Sequence, residues 1–404
     1  MFDQSVKQLA QSALYPKESP AKIKNSSKRI VIGLPKEISL LEKRIGLTPD
    51  AVALLVNNGH EIIVERGAGA DANFTDAEYQ LAGGQLVDSA REVFDAEIVL
   101  KIEPLTDEEF EYLREGQTLI STLNPTALSK SYFERLNKKK VTGIAFEFIE
   151  DKVGDIPVIR AMSEIAGSSV MLIAAEYLSN ANQGRGIILG GVTGVPPTCV
   201  VIIGAGTVGE YAARAALGLG AEIKVFDSHV YRMQRLKYAV GQNIYTSIID
   251  SVTLSNALKH AAVVVAAMRS DTGRSPLIVT EEMVMQMKPN SVIIDVSIDQ
   301  GGCVETSEMT TLDNPAFIKH DVIHYGVPNI TSRVAHTASI SLSNIFTPFL
   351  LKTGKQGGIS QMIYANQWFM KGVYAYRGSI TKYVIAQKYD LRYRDLGLLI
   401  AAGL

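Results

Sequence analysis

The stretch Cys199–Asp227, CVVIIGAGTVGEYAARAALGLGAEIKVFD, decides the fold. An apolar, β-branched run from Val200 to Ile203 meets Gly204, Gly206 and Gly209 in GxGxxG spacing, and an Ala-rich stretch and a second apolar run ending on Asp227 follow. The pattern predicts strand, tight turn, helix and strand. Gly204 suits backbone angles that a Cβ resists, Gly206 leaves bare backbone for a pyrophosphate, and Gly209 lets the helix close on the strand. The free N–H groups at Thr207 and Val208, aided by the helix dipole, then face the phosphates. Asp227 closes the second strand where a carboxylate accepts both hydroxyls of an adenosine ribose and repels a 2′-phosphate, so NAD is favoured over NADP. Arg232 and Arg235, just past the acid, are the features that leave NADP open.

Composition sets the bounds. With 404 residues, 47% hydrophobic and 20% charged, the chain is long enough for two domains with separate cores. A net charge of -2 gives no reason to expect nucleic acid or an anionic membrane surface. The two cysteines, Cys199 and Cys303, form no CxxC pair, and no histidines pair at metal-ligand spacing, so neither a metal site nor a disulfide framework is expected and a cytoplasmic setting fits. Val170–Leu178 is too short an apolar run to span a bilayer. Residues 1–28 read as an N-terminal extension in which Val6, Leu9, Ala13 and Leu14 suit either a short docking helix or a disordered tail.

From Arg29 strands alternate with helices: strands at Ile30–Leu34, Glu61–Glu65, Glu97–Ile102, Thr118–Thr122 and Thr142–Ile149, helices at Pro49–Asn58, Asp107–Arg114 and Thr126–Lys139. A long helix is expected over Met162–Gln183, with Ser163 as N-cap. After Asp227 the alternation resumes to a strand at Val322–Tyr325, and Thr337–Lys352 and Gln361–Lys388 then read as helical, with no strand between them. The expected architecture is α/β: two Rossmann-like, doubly wound domains, with the cofactor domain (161–333) inserted in the middle of a substrate domain built from 29–160 and 334–404.

Ligands of such sheets sit beyond the carboxyl ends of the strands. Arg44, in LEKRIGLTP, and Lys101, in EIVLKIEP, are two cations at adjacent strand ends that suit a carboxylate, although both also read as surface charges. Asp299 follows the strand of SVIIDVSID and suits acid–base work if burial raises its pKa; the competing reading is a turn-forming Asp before a Gly pair. Asn329, in YGVPNITSR, either meets a cofactor carboxamide or shapes a loop, and His336 follows the same loop.

With these residues in view, the chain resembles the alanine dehydrogenases and the soluble N-terminal parts of proton-translocating nicotinamide nucleotide transhydrogenase. The resemblance rests on GLPKE (Gly33–Glu37), RIGLTP (Arg44–Pro49), MSEIAG (Met162–Gly167), GAGTVG (Gly204–Gly209), MKPNSVIIDVSIDQGG (Met287–Gly302) and VPNITSRVAHTAS (Val327–Ser339). It implies that Arg44 and Lys101 hold a substrate carboxylate, that Asp299 takes part in proton transfer, and that Ser163, Asp227 and Asn329 contact NAD. Family alanine dehydrogenases are commonly hexamers; a homo-oligomer is expected here, with a dimer the other possibility. Two departures stand out. Asn124 occupies the place of a family histidine: it can hydrogen-bond a carbonyl oxygen but cannot exchange a proton near neutral pH. A second family lysine lies two positions beyond the one matching Lys101, and a one-residue gap lets Lys101 stand for either.

The leading expectation is NAD-dependent oxidative deamination of a small L-amino acid, L-alanine to pyruvate and ammonia, with an amino acid or keto acid as the small-molecule partner. A transhydrogenase-like NAD(H)-binding subunit and a non-catalytic NAD-binding sensor are the alternatives.

Overall fold

The computed structural model describes residues 27–123, 128–269 and 275–402. Asn124, the first part of the helix expected at Thr126–Lys139, and the docking helix expected near the N-terminus lie outside these residues. The first sheet runs β15-β14-β6-β5-β4-β1-β2-β3 and the second β12-β13-β11-β10-β7-β8-β9. In the first, β1 (Val31–Leu34), β2 (Glu61–Glu65), β3 (Gln85–Val87), β4 (Ile98–Leu100), β5 (Thr118–Ser121) and β6 (Thr142–Ala145) are all parallel. The second sheet joins β7 (Cys199–Ile203), β8 (Glu222–Asp227), β9 (Tyr245–Ile248), β10 (Val263–Ala266), β11 (Val292–Asp295) and β13 (Val322–Tyr325) in parallel, with β12 (Ala316–Lys319) antiparallel at its edge. Both contain the doubly wound order 3-2-1-4-5-6, reversing beside β1 and beside β7. The β7 and β10 strands are completely buried along Val200–Ile203 and Val263–Ala266, as near-continuous apolar runs covered by helices on both faces must be.

The C-terminal segment departs from its sequence reading. Within the stretch expected to be helical, Val373–Tyr376 forms β14 and Ser379–Ile380 forms β15, joined by a tight turn in which Arg377 and Gly378 both take positive φ. Strand β14 runs antiparallel to β6, with the Tyr374 ring seated on Gly143, where a Cβ would fall 2.6 Å from the ring. The alternating β-branched and aromatic character of VYAY favours a pleated surface over helical periodicity. The chain end thus completes the first sheet.

Two further boundaries shift. The long helix spans Pro157–Leu178, because a proline at the first helical position loses no intrahelical bond and already has helical φ. Ser163 is therefore in the helix interior and is not its N-cap. The strand expected over Thr142–Ile149 ends at Ala145 and passes into a short 3-10 turn, Phe146–Phe148.

Two helices hold the halves together, Pro157–Leu178 and Ala335–Gln356; Pro157–Leu178 and the run Ile330–Gln356 are long and apolar enough to cross a membrane, a test that a buried core helix also passes. Pro157–Leu178 crosses the helix Thr207–Gly218 at Gly167, where a Cβ would stand 2.4 Å from the Val208 carbonyl. The segment leading into and along Ala335–Gln356 presents three buried serines to the loop carrying Arg44. Lys43 N donates to Ser332 Oγ (2.9 Å), Ile45 N to Ser339 Oγ (3.0 Å) and Thr48 N to Ser343 Oγ (3.1 Å). These hydroxyls replace the strand or helix partners that the irregular loop lacks.

Removing one of them leaves a buried donor unsatisfied. Ser339→Ala is expected to cost about 1–3 kcal/mol, read as a lower thermal unfolding midpoint, whereas alanine at the exposed Ser168 should leave the midpoint unchanged.

Candidate functional site

The dinucleotide turn takes the shape its glycines allow. Gly204 has φ +108, and a Cβ on Gly209 would lie 1.9 Å from the Gly204 carbonyl, so strand and helix meet there with no room for a side chain. Gly206 is the N-cap of Thr207–Gly218 and makes no side-chain cap bond; a Cβ placed on it meets open space. The first N–H groups of this helix, at Thr207 and Val208, have no intrahelical partner, and the open space beside Gly206 leaves the backbone there accessible to an anion.

Asp227 ends β8 beside this turn, entirely buried. Its carboxylate accepts from Ala205 N (2.7 Å) and His229 N (2.7 Å), which fixes it against the turn. His229 Nδ1 also stands 3.4 Å from Asp227 Oδ1, on the half-exposed side of this pair. Arg235 points the same way, its Nη2 3.4 Å from the Ala205 carbonyl, while Arg232 Nε meets Tyr231 Oη at 3.1 Å.

The other candidate residues gather where the two sheets face each other. Arg44 is 8% exposed, and its guanidinium grips Glu42 with Nε to Oε1 at 2.7 Å and Nη2 to Oε2 at 2.5 Å. Its Nη1 donates to Thr331 Oγ1 at 3.0 Å and lies 3.3 Å from Met162 Sδ, next to the half-buried Ser163. Asn329 Nδ2 donates to Glu42 Oε2 at 2.9 Å from the second sheet's side. Asn329 has φ +54, a left-handed conformation uncommon outside glycine, and its main chain lies near enough to Asp299 to favour the ionised carboxyl. Asp299 lies in the 3-10 turn Ile298–Gln300 after β11, open to solvent on one side but crowded by protein on the others. Desolvation raises its carboxyl above the usual range, against the pull of the Asn329 N–H and the Arg44 charge.

The turn bearing Asp299 is held from beneath by Asp295, whose carboxylate accepts from Ser297 N (3.0 Å), Cys303 N (3.0 Å) and Val304 N (3.2 Å). Gly302, at φ +72, makes this approach possible, since a Cβ there would stand 2.8 Å from Asp295 Oδ2.

Lys101 is not a free cation. Only 2% exposed, it places Nζ 2.6 and 2.8 Å from the two oxygens of Glu109, in the helix Asp107–Tyr112, and 3.7 Å from Glu37 Oε2. Glu37 itself accepts from Ile102 N, and burial pushes its carboxyl up to about 7 despite Lys101. Desolvation also raises Glu103, with Glu42 adding to the effect. His336 is joined to Ala72 by Nδ1 at 2.7 Å from the carbonyl and stacks on Phe74, with ring centroids 4.6 Å apart.

The structure thus brings Arg44, Asp299 and Asn329 together and gives Lys101 a buried partner. It also adds Glu37, Glu42, Glu109 and Thr331, which sequence reasoning missed. Their signal was position: Glu37 closes GLPKE beyond β1, and Glu42 stands two residues from Arg44. Carboxylates there read as solvated charges until the sheets are packed.

The family model described as alanine dehydrogenase/PNT, N-terminal domain, matches residues 33–166, and that for the C-terminal domain matches residues 170–383. Alanine dehydrogenase of Methanococcus maripaludis is 39% identical over 366 residues, covering 90% of this chain and 98% of the relative. Alanine dehydrogenase of Bacillus subtilis is 38% identical over 369 residues, covering 91% and 95%. Among solved structures, an L-alanine dehydrogenase superposes with a TM-score of 0.85 at 35% identity, covering 89% of this chain and 99% of that one. A transhydrogenase from Sinorhizobium meliloti shares the fold, with a TM-score of 0.74 at 21% identity over 88% of this chain and 99% of that one. The chain belongs to the alanine dehydrogenase/PNT family.

Proposed function

We propose that this chain is an NAD-dependent dehydrogenase that converts a small L-amino acid, L-alanine foremost, reversibly to the keto acid and ammonia. The observation that carries the reading is that Arg44 and its partner Glu42, from the first sheet, are joined to Thr331 and Asn329, from the second, with Asp299 near enough for the Arg44 charge to act on its carboxyl. Residues 29–160 with 334–404 then form the substrate unit and 161–333 the cofactor unit. The protein works as a cytoplasmic homo-oligomer, a hexamer or a dimer; its exposed apolar side chains Leu172, Ile188, Val192 and Val195 suit a subunit contact.

Gly204, Gly206, Gly209 and the N–H groups of Thr207 and Val208 hold the pyrophosphate, Asp227 the adenosine ribose, and Ser163 and Asn329 the nicotinamide end. When bound, NAD supplies the hydride acceptor. Arg44 orients the substrate carboxylate with donors not spent on Glu42, and Lys101 shares it by exchange with Glu109. Asp299 takes a proton from the substrate ammonium, so the nitrogen lone pair forms the C=N bond as hydride leaves Cα. Asp299 gives that proton up to solvent; water then adds to the iminium carbon as Asp299 accepts one of its protons and returns it to the nitrogen, and ammonia departs as the C–N bond breaks and the hydroxyl, losing its proton to Asp299, becomes the keto oxygen.

The test is NAD reduction measured across the common amino acids. L-alanine is expected to give the highest kcat/KM, and turnover should rise with pH as the Asp299 carboxyl ionises, above the range of an ordinary carboxylate. Asp299→Asn should lower kcat by about two to four powers of ten and leave the Kd for NAD near wild type. No turnover with any amino acid would overturn the reading.

Arg44→Lys keeps the charge but loses the planar fork, and a rise in KM for L-alanine of roughly tenfold or more is expected with NAD affinity unchanged. Glu109→Gln loosens Lys101 from its partner and should lower that KM; an unchanged value would remove Lys101 from the substrate site.

Asp227→Ala is expected to weaken NAD and narrow its advantage over NADP in paired titrations. NADP binding as tight as NAD in the unaltered protein would strip Asp227 of its ribose role.

A further inference from the structure

A closed ring of hydrogen bonds joins the loop after β1 to the segment after β13. Arg44 Nη1 donates to Thr331 Oγ1 (3.0 Å), which donates to Asn329 Oδ1 (3.0 Å); Asn329 Nδ2 donates to Glu42 Oε2 (2.9 Å), which accepts from Arg44 Nη2 (2.5 Å). The directions are fixed by chemistry, since a carboxylate only accepts and a guanidinium only donates. Glu42, 2% exposed, also takes Arg44 Nε (2.7 Å) and Arg44 N (2.9 Å) on Oε1. All four of its acceptor positions are therefore filled, three by Arg44 and one by Asn329.

We infer that this ring, with Glu42 and Thr331 as its two links, couples cofactor binding to substrate binding. The inference rests on the assignment of Asn329 to the nicotinamide end and Arg44 to the substrate carboxylate. A carboxamide that engages the Asn329 amide draws it from Glu42 or from Thr331 and opens the ring. An incoming carboxylate that engages Arg44 Nη1 draws it from Thr331 and opens the same ring. Whichever ligand arrives first meets the cost of opening the ring, and the second meets a ring that is already open and no longer closed on itself, so each tightens the other. By linkage the factor is the same in both directions. Glu42 and Thr331 are positioning residues here; neither needs to touch a ligand.

The experiment is NADH binding by fluorescence, with and without saturating pyruvate, ammonia being left out so that the imine cannot form. The unaltered protein is expected to bind NADH at least about fivefold more tightly when pyruvate is present. Glu42→Gln and Thr331→Val should each bring that ratio towards one. A ratio cancels any uniform loss of affinity, so a merely structural weakening would leave it unchanged. Thr331→Val is a near-isosteric change that leaves the Arg44–Glu42 ion pair whole, and it carries the test if Glu42→Gln fails to fold. A wild-type ratio of one, or a ratio that both links can lose without change, overturns the coupling. L-alanine turnover on the same preparation tells the two failures apart: turnover without coupling sinks the ring alone, while absence of both sinks the dehydrogenase reading with it.

Discussion

The Arg44–Glu42 ion pair is the constraint on which the cleft depends. Taking both charges out of water costs several kcal/mol per ion, and their attraction offsets this only when geometry is good and the leftover hydrogen-bonding capacity is used. Here it is used: the main-chain N–H of Arg44, the Asn329 amide and the Thr331 hydroxyl complete the pair. Two of those partners come from the loop after β13, so the pair is satisfied only when the two sheets are docked. An ion pair that adds little net stability therefore fixes where one half of the molecule stands against the other.

The second buried cation obeys the same rule with a different result. The Lys101 ammonium is a compact point charge on a flexible stem, and two oxygens of Glu109 with a third carboxyl at 3.7 Å hold it on the side of the first sheet. Carboxyls then outnumber cations, with Glu37, Glu42, Glu103 and Glu109 against Arg44 and Lys101. Burial is the main reason that Glu37 holds its proton up to about 7; Lys101 and the Ile102 N–H oppose it, and the neighbouring acids Glu42 and Glu109 add a smaller push in the same direction. A proton bound there near neutral pH is one that an unfolded Glu would have lost, so this group's contribution to stability falls as pH rises through that window.

What was legible in the sequence was whatever local geometry alone demands. Gly204, Gly206 and Gly209 announce a turn because only a missing Cβ fits it, and Asp227 announces a strand end because an apolar run stops there. What was not legible depends on long-range contact. Lys101 read as a free cation because its partner, Glu109, lies in the following helix and looks like a solvated helix-terminal acid. Strands β14 and β15 were hidden because β14 is stabilised by β6, more than two hundred residues away in the chain. Ser163 was misread as a cap because the proline six residues before it is an equally good helix start, and the chain uses the earlier one.

The serine row adds the last step. The loop carrying Glu42 and Arg44 has no regular partner for its N–H groups, and it receives Ser332, Ser339 and Ser343 from the segment that leaves the second sheet. That segment begins at Asn329, whose left-handed backbone accepts from Ser332 N at 2.9 Å and whose side chain turns to Glu42. One short stretch, Asn329 to Ser343, thus holds both the Arg44–Glu42 pair and the loop that carries it. Strain at Asn329 is tolerated because the surroundings over-determine it, with hydrogen bonds made on both its main-chain and side-chain sides. Relaxing that backbone would withdraw the Asn329 amide and the Thr331 hydroxyl from the Arg44–Glu42 pair, and for this reason the two halves of the site cannot be adjusted independently.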